Sequence, residues 1–241
     1  VTGTNQQRIE KRLLEVIACA VADAVAAEAG GADRIELISH FEVGGLTPPL
    51  ELVREVMAAV SIPVRVMLRE SEDFNVSDEA ERRRLCALAA EFSALPIDGM
   101  VCGFLKDGGI NHELLAQVLG SAPLMKVTFH RAFEELSDPL AAIGELKNHP
   151  QVDRILTSGG AGSRAEKIEC LNRCDRAARP EITILAGGGM TDDFIRELRE
   201  RTAIRELHVG TFVREPVAFE GIVSAEKVSG IRAALQDNRA G

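Results

Sequence analysis

Residues 13–38, LLEVIACAVADAVAAEAGGADRIELI, carry the reading that decides the fold. An apolar run, Leu13–Cys19, is followed by an alanine-rich stretch, Val21–Ala29, then by Gly30-Gly31 and a second run, Arg34–Ile38. Alanine is the strongest helix former, and glycine is the usual residue past a helix end. In the first run Leu14, Val16 and Ala18 alternate with Glu15, Ile17 and Cys19; in the second, Ile35 and Leu37 alternate with Arg34, Glu36 and Ile38. Successive side chains of a strand point to opposite faces. The stretch therefore reads as strand, helix, strand, each strand having one apolar face and one mixed face.

Six more runs of the same kind follow: Pro63–Arg69, Asp98–Cys102, Leu124–His130, Asp153–Ser158, Glu181–Gly187 and Ile204–Gly210. The parity persists. Val64, Val66 and Leu68 oppose Arg65, Met67 and Arg69; Val127 and Phe129 oppose Lys126, Thr128 and His130; Leu207 and Val209 oppose Glu206, His208 and Gly210. Between the runs the sequence predicts helices over Leu50–Val60, opened by Pro48 or Pro49, and over Asp78–Ser93, capped by Ser77. Further helices are expected over His112–Leu119, Pro139–Lys147, Ser163–Ala178, Asp192–Arg201 and Ala225–Leu235. Eight strand–helix units in 241 residues match a single-domain α/β fold, the TIM (β/α)8 barrel, which takes about 250 residues. The apolar faces pack on the helices and the mixed faces fill the lumen. A doubly wound open sheet would bury both faces more evenly. Residues 1–12 read as a polar N-terminal extension and residues 13–241 as one barrel domain.

With 46% hydrophobic residues, no Trp or Tyr and aromatics at 4%, the core must be aliphatic. A formal net charge of −9 argues against nucleic acid as a partner, because phosphate contacts need a basic surface. No apolar run reaches the roughly 18 residues of a membrane span, and no signal-peptide core precedes Leu13, so no membrane partner is expected. Five cysteines without framework spacing read as reduced thiols in a cytoplasmic protein. A homodimer or higher homo-oligomer is the default assembly.

The C-terminal ends of barrel strands form the active face. Glu36, Arg69, His130 and His208 lie at those ends, with Glu15 deeper, and these five are the candidate catalytic residues. Carboxylate and imidazole together can move protons near neutral pH, and arginine can hold an oxyanion. The competing interpretation is a lumen-filling ion network of Glu15, Glu36, Arg65 and Arg69. Gly-rich turns follow three strands: Thr157-Ser158-Gly159 after the sixth, Gly187-Gly188-Gly189 after the seventh and Gly210 after the eighth. Such loops present backbone N–H groups to anions, so an anionic or other small-molecule ligand is expected at the mouth; plain turn chemistry is the alternative. Cys170 and Cys174, one helical turn apart, suit helix packing better than a soft metal. His112 and His149 fall in polar, helix-end contexts. The spacing names no metal and no cofactor.

Four stretches, Gly30-Gly31-Ala32-Asp33-Arg34-Ile35-Glu36-Leu37, Gly44-Gly45-Leu46-Thr47-Pro48, Val127-Thr128-Phe129-His130-Arg131-Ala132-Phe133 and Arg154-Ile155-Leu156-Thr157-Ser158-Gly159, resemble the CutC family. The resemblance runs from Leu13 to Gly210 and fades over the last thirty residues. It implies a cytoplasmic, oligomeric TIM barrel linked to copper homeostasis, with Cu(I) proposed to bind cysteines two residues beyond the glutamates of strands one and two. Here those positions are Ile17 and Ile38, whereas soft Cu(I) prefers thiolate or thioether ligands. The loop after strand three departs as well. The family pattern Arg-Pro-Arg-Gly-Gly-Asp-Phe is replaced by Arg69-Glu70-Ser71-Glu72-Asp73-Phe74. The alternative to a copper role is an acid–base enzyme, an isomerase or lyase, acting on a small sugar-like or hydroxy-carbonyl compound at the mouth.

Overall fold

Alternation at every second residue builds the strands, and they close on themselves. The computed structural model describes residues 12–76 and 78–236. Eight parallel strands, β1 (Leu13–Ala18), β2 (Arg34–Leu37), β3 (Val64–Met67), β4 (Gly99–Cys102), β5 (Lys126–Phe129), β6 (Val152–Thr157), β7 (Thr183–Gly187) and β8 (Glu206–Val209), form a closed barrel. Each strand pairs with its neighbours in sequence, and β8 returns to β1. The helices α1 (Val21–Ala29), α2 (Leu50–Ala59), α3 (Glu79–Ser93), α4 (His112–Ser121), α5 (Pro139–Leu146), α6 (Arg164–Ala178), α7 (Asp192–Arg201) and α8 (Ala225–Gln236) follow the strands in turn. All sixteen expected elements are present, with ends moved by at most two residues. The polar extension before Arg12 and the expected cap Ser77 lie outside the described residues. Asp78 caps α3 instead, accepting hydrogen bonds from the Ala80 and Glu81 N–H groups at 3.0 and 3.3 Å.

Strand parity divides the apolar residues into two bodies. Leu14, Val16, Ile35, Leu37, Val64, Val66, Val127, Phe129, Leu207 and Val209 belong to one large core between sheet and helices. Ile17, Ile38, Met67 and Val101, from the opposite parity of β1 to β4, form a separate small cluster inside the barrel. Registration sets the heights: Glu15 lies beside both Arg34 of β2 and His208 of β8, and His208 lies beside Gly187 of β7. Cys174 is buried on α6 and Cys170 half-buried one turn earlier, as packing residues. His112, the first residue of α4, faces His149 across 3.1 Å and Glu145 across 2.7 Å on the surface.

The connections at the C-terminal end carry structure that periodicity does not announce. Single 3-10 turns occupy Phe41–Val43, Arg131–Glu135 and Thr211–Val213. Two small antiparallel ribbons, Leu105–Lys106 with Gly109–Ile110 and Arg214–Glu215 with Ile222–Val223, stand beyond β4 and β8. No helix among the described residues is long and apolar enough to cross a membrane.

Candidate active site at the barrel mouth

The lower lumen is an ion network. Arg34 donates through Nε to Glu15, and through its terminal nitrogen to Glu206 at 3.2 Å. Arg154 grips Glu206 at 2.6 and 2.9 Å and also donates to Asp153. Arg65, fully buried, donates to Asp98 at 2.8 Å, to both Asp153 oxygens at 2.7 and 2.8 Å, and to the Thr128 hydroxyl at 2.7 Å. A buried guanidinium needs such partners, since an unpaired buried charge is costly.

Above this network a cavity of about 640 Å³ opens at the strand ends. Glu36, Arg69, His130 and His208 line it, with Phe41 and Phe219 among the residues of its rim. Registration makes His208 the link between foot and mouth. Its Nδ1 donates to Glu15 at 2.8 Å, and its Nε2 lies 3.7 Å from Glu36. Burial favours the neutral acid at Glu15, but Arg34 and His208 reverse that and hold the carboxyl well below its usual range. Burial also opposes charge on His208, yet Glu36 and Glu15 outweigh it and raise the imidazole pKa. Glu36 has weaker compensation. Burial, with the Glu15 charge close by, pushes it up to about 7 in spite of His208.

β5 lies three strands round from both β2 and β8, so His130 faces this group across the lumen. Its Nδ1 accepts the Ala132 N–H at 3.2 Å, which leaves the proton of the neutral ring on Nε2. Burial, reinforced by Arg69, pushes the ring down to about 3, so it stays uncharged at neutral pH. Glu36 Oε1 and His130 Nε2 are among the buried atoms that have no hydrogen-bond partner in the described residues. Such orphans are uncommon in native proteins and often mark a functional role.

The structure brings Glu15, Glu36 and His208 together, with one ligand atom of each within 4.8 Å of the others. This is the set among the described residues that could hold a metal, and carboxylate with imidazole suits a borderline divalent ion. Arg69 lines the cavity but is largely committed elsewhere. It donates to the Val43 and Gly45 carbonyls at 3.2 Å each and to the Glu72 carbonyl, and its guanidinium lies 4.5 Å over Phe74. It ties the end of β3 to two loops, and only its Nε lacks a partner.

The Gly-rich turns divide. Gly188, Gly189 and Gly210 line the cavity. Gly187 backs onto His208. Thr157, Ser158 and Gly159 are screened from the cavity by Glu134, which takes the Ser158 N–H at 2.5 Å and the Thr157 hydroxyl at 3.2 Å. Sequence reasoning missed Glu134, because its position three residues after Arg131 reads as an ordinary surface ion pair. It missed the aromatic rim too, since Phe41, Phe74 and Phe219 fall in loops without period.

Comparison with known proteins bears on this geometry. The model of the CutC family matches residues 12–213. A human protein named copper homeostasis protein cutC homolog is 37% identical over 201 residues, covering 81% of this chain and 72% of its own length. A CutC family protein of Xanthomonas axonopodis pv. citri is 35% identical over 196 residues, covering 81% of each chain. The crystal structure of a CutC protein from Streptococcus agalactiae superposes with a TM-score of 0.75 at 26% identity, covering 83% of this chain and 98% of that one.

Proposed function

The chain belongs to the CutC family, and from that premise we propose that its barrel mouth is an acid–base site for a small hydroxy-carbonyl compound, performing isomerisation or elimination. The supporting observation is the pair of buried, partnerless atoms, Glu36 Oε1 and His130 Nε2, on opposite sides of one cavity. Glu36, with its pKa pushed up to about 7, suits a base that takes a proton from the carbon beside a carbonyl, because efficiency peaks when the catalytic pKa is near the working pH. The neutral His130 ring offers its Nε2–H to the carbonyl oxygen as negative charge develops there, a role in which a neutral imidazole serves well. Glu36 returning its proton to the neighbouring carbon, while that carbon's hydroxyl proton passes to the former carbonyl oxygen, completes an isomerisation; Glu36 giving the proton to a β-hydroxyl, which leaves as water, completes an elimination. His208 positions Glu36 and is itself oriented by Glu15. Arg69 shapes the wall.

Copper homeostasis, the role in the relatives' names, would ask for a thiolate cage if the cargo were Cu(I). The donor set argues against one here. Ile17 lines the cavity, Ile38 packs beneath it with Met67, and neither offers a ligand atom. Cys19 lies near that cluster but outside the cavity lining; burial pushes its thiol up to about 11, and Arg214 donates to its sulfur at 3.5 Å. A single protonated thiol beside the Met67 and Met190 thioethers of the lining does not make a thiolate cage.

The test is exchange of substrate carbon-bound hydrogen with D2O, followed by NMR over a panel of small aldoses, ketoses and hydroxy acids. The wild type is expected to exchange at least one of them. Glu36→Gln should lower that rate by about 10²-fold or more while the circular dichroism spectrum stays unchanged. Exchange that survives in Glu36→Gln would remove the acid–base reading.

A further inference from the structure

We propose that Glu134 is a built-in anion, filling an oxyanion subsite at the head of β6 and restricting the mouth to ligands without a phosphate or carboxylate group. The inference rests on the reading of the mouth as a ligand site, and it narrows the substrate to an uncharged hydroxy-carbonyl compound.

The donors around Glu134 are those an oxyanion takes. The Ser158 N–H reaches its Oε1 at 2.5 Å and the Thr157 hydroxyl at 3.2 Å, while the Gly159 N–H supports that hydroxyl from behind at 3.1 Å. A backbone N–H beside a hydroxyl on a Gly-rich turn is a common anion cradle. Gly188, in the left-handed region at φ +92°, packs against Ser158, where a Cβ would lie 3.1 Å from the serine Cβ. The β7 loop therefore closes the cradle on one side. Glu134 enters from the other, out of the turn after β5. Arg131 steadies its second oxygen at 3.0 Å, and only 14% of the side chain remains exposed. Salt bridge, amide and hydroxyl together fix a carboxylate where a substrate anion would otherwise sit.

The rest of the lining works in the same direction. Glu42, Glu72 and Glu135 also border the cavity. Its two arginines are already engaged, Arg69 by backbone carbonyls and Arg131 by Glu134. An entering phosphate would meet like charge and a filled cradle, and juxtaposed like charges are strongly disfavoured. An uncharged polyol or hydroxy-carbonyl compound meets no such penalty.

The probe is inorganic phosphate, read as a melting-temperature shift and as 31P line broadening at pH 7.5. Wild type is expected to show neither at 10 mM. Glu134→Ala and Glu134→Ser, which empty the cradle, should each gain saturable phosphate binding, with melting raised by roughly 3 °C at ten times the dissociation constant. Glu134→Gln, which keeps an amide oxygen on Ser158, should gain none. Phosphate binding by the wild type overturns the proposal. So does its absence from both Glu134→Ala and Glu134→Ser; should the alanine variant fail to fold, the serine variant decides. Neither readout needs turnover, so failure of the acid–base reading in the D2O experiment leaves this result standing by itself, and failure here leaves the exchange result untouched.

Discussion

Glu36 and His130 each bury one atom without a hydrogen-bond partner, yet they respond to pH in opposite directions. The Glu36 carboxyl, pushed up to about 7, binds its proton more tightly in the folded chain than in the unfolded one. Its contribution to stability is thus complete below the ordinary carboxylate range and disappears as pH rises through about 7. Glu36→Gln removes that loss. In urea titrations it should be more stable than wild type at pH 8, by roughly 3 kcal/mol, with the advantage shrinking towards pH 5. His130, pushed down to about 3, is the reverse case, since the folded state resists its protonation. Stability is full above pH 6.5, the ordinary value for the ring, and is lost as acid carries the pH from there towards about 3. His130→Asn, whose side-chain oxygen can still accept the Ala132 N–H, should flatten that acid limb. An unchanged slope between pH 6.5 and 4 would mean that His130 is not held neutral. The sequence placed these two residues on lumen-facing parity and near strand ends. It did not say that each would keep one atom without a partner, because that depends on which loops fold over them.

The loops are also where individual elements become decisive. Asp23, in the first turn of α1, accepts from Arg214 at 2.9 Å, from the Val223 N–H at 3.0 Å and from the Cys19 N–H at 3.0 Å. It pins both strands of the ribbon beyond β8, and the segment between them carries Phe219, whose ring meets Phe41 edge-on at 5.1 Å over the cavity. Asp23→Ala leaves the buried Arg214 without its carboxylate, and removing one partner of a buried pair costs roughly 3–5 kcal/mol. We expect that loss in thermal or chemical unfolding, together with faster proteolytic cleavage between Glu215 and Ile222. Cleavage as slow as in the wild type would show that α1 does not hold the rim. The strands and helices around this ribbon were legible because alternation and the 3.6-residue period are local properties. Asp23 was not, since in sequence it is one acid on an alanine-rich helix and its partners come 191 and 200 residues later. The Glu134 plug escaped for the same reason, while the glycines around it were legible as a turn.

At the scale of the barrel, the charged foot and the cavity at the mouth form one construction joined at Glu15. The network of Arg34, Arg65 and Arg154 with Glu15, Glu206, Asp98 and Asp153 takes a residue from, or from the foot of, every barrel strand except β7 once Thr128 is counted. Of the four residues expected in a lumen-filling ion network, Glu15 and Arg65 belong to the foot, whereas Glu36 and Arg69 stand apart from it at the cavity. Parity could not separate them, because it gives the face of a residue and not its depth. Glu15 belongs to both levels: one oxygen meets Arg34 and the other His208. Arg65→Met should act on the foot alone. It leaves Asp98 without its arginine and Asp153 with Arg154 alone, destabilising the fold by roughly 3 kcal/mol and leaving the titration of His208 unchanged. Glu15→Gln should act through the joint. Without the charge, Glu36 alone opposes burial at His208, whose pKa falls from its raised value, and the stability that its protonation supplies is lost at lower pH than in the wild type. Histidine NMR titration of wild type, Arg65→Met and Glu15→Gln separates the two effects. If His208 titrates alike in all three, the foot and the mouth are independent, and Glu15 is only a strut of the network.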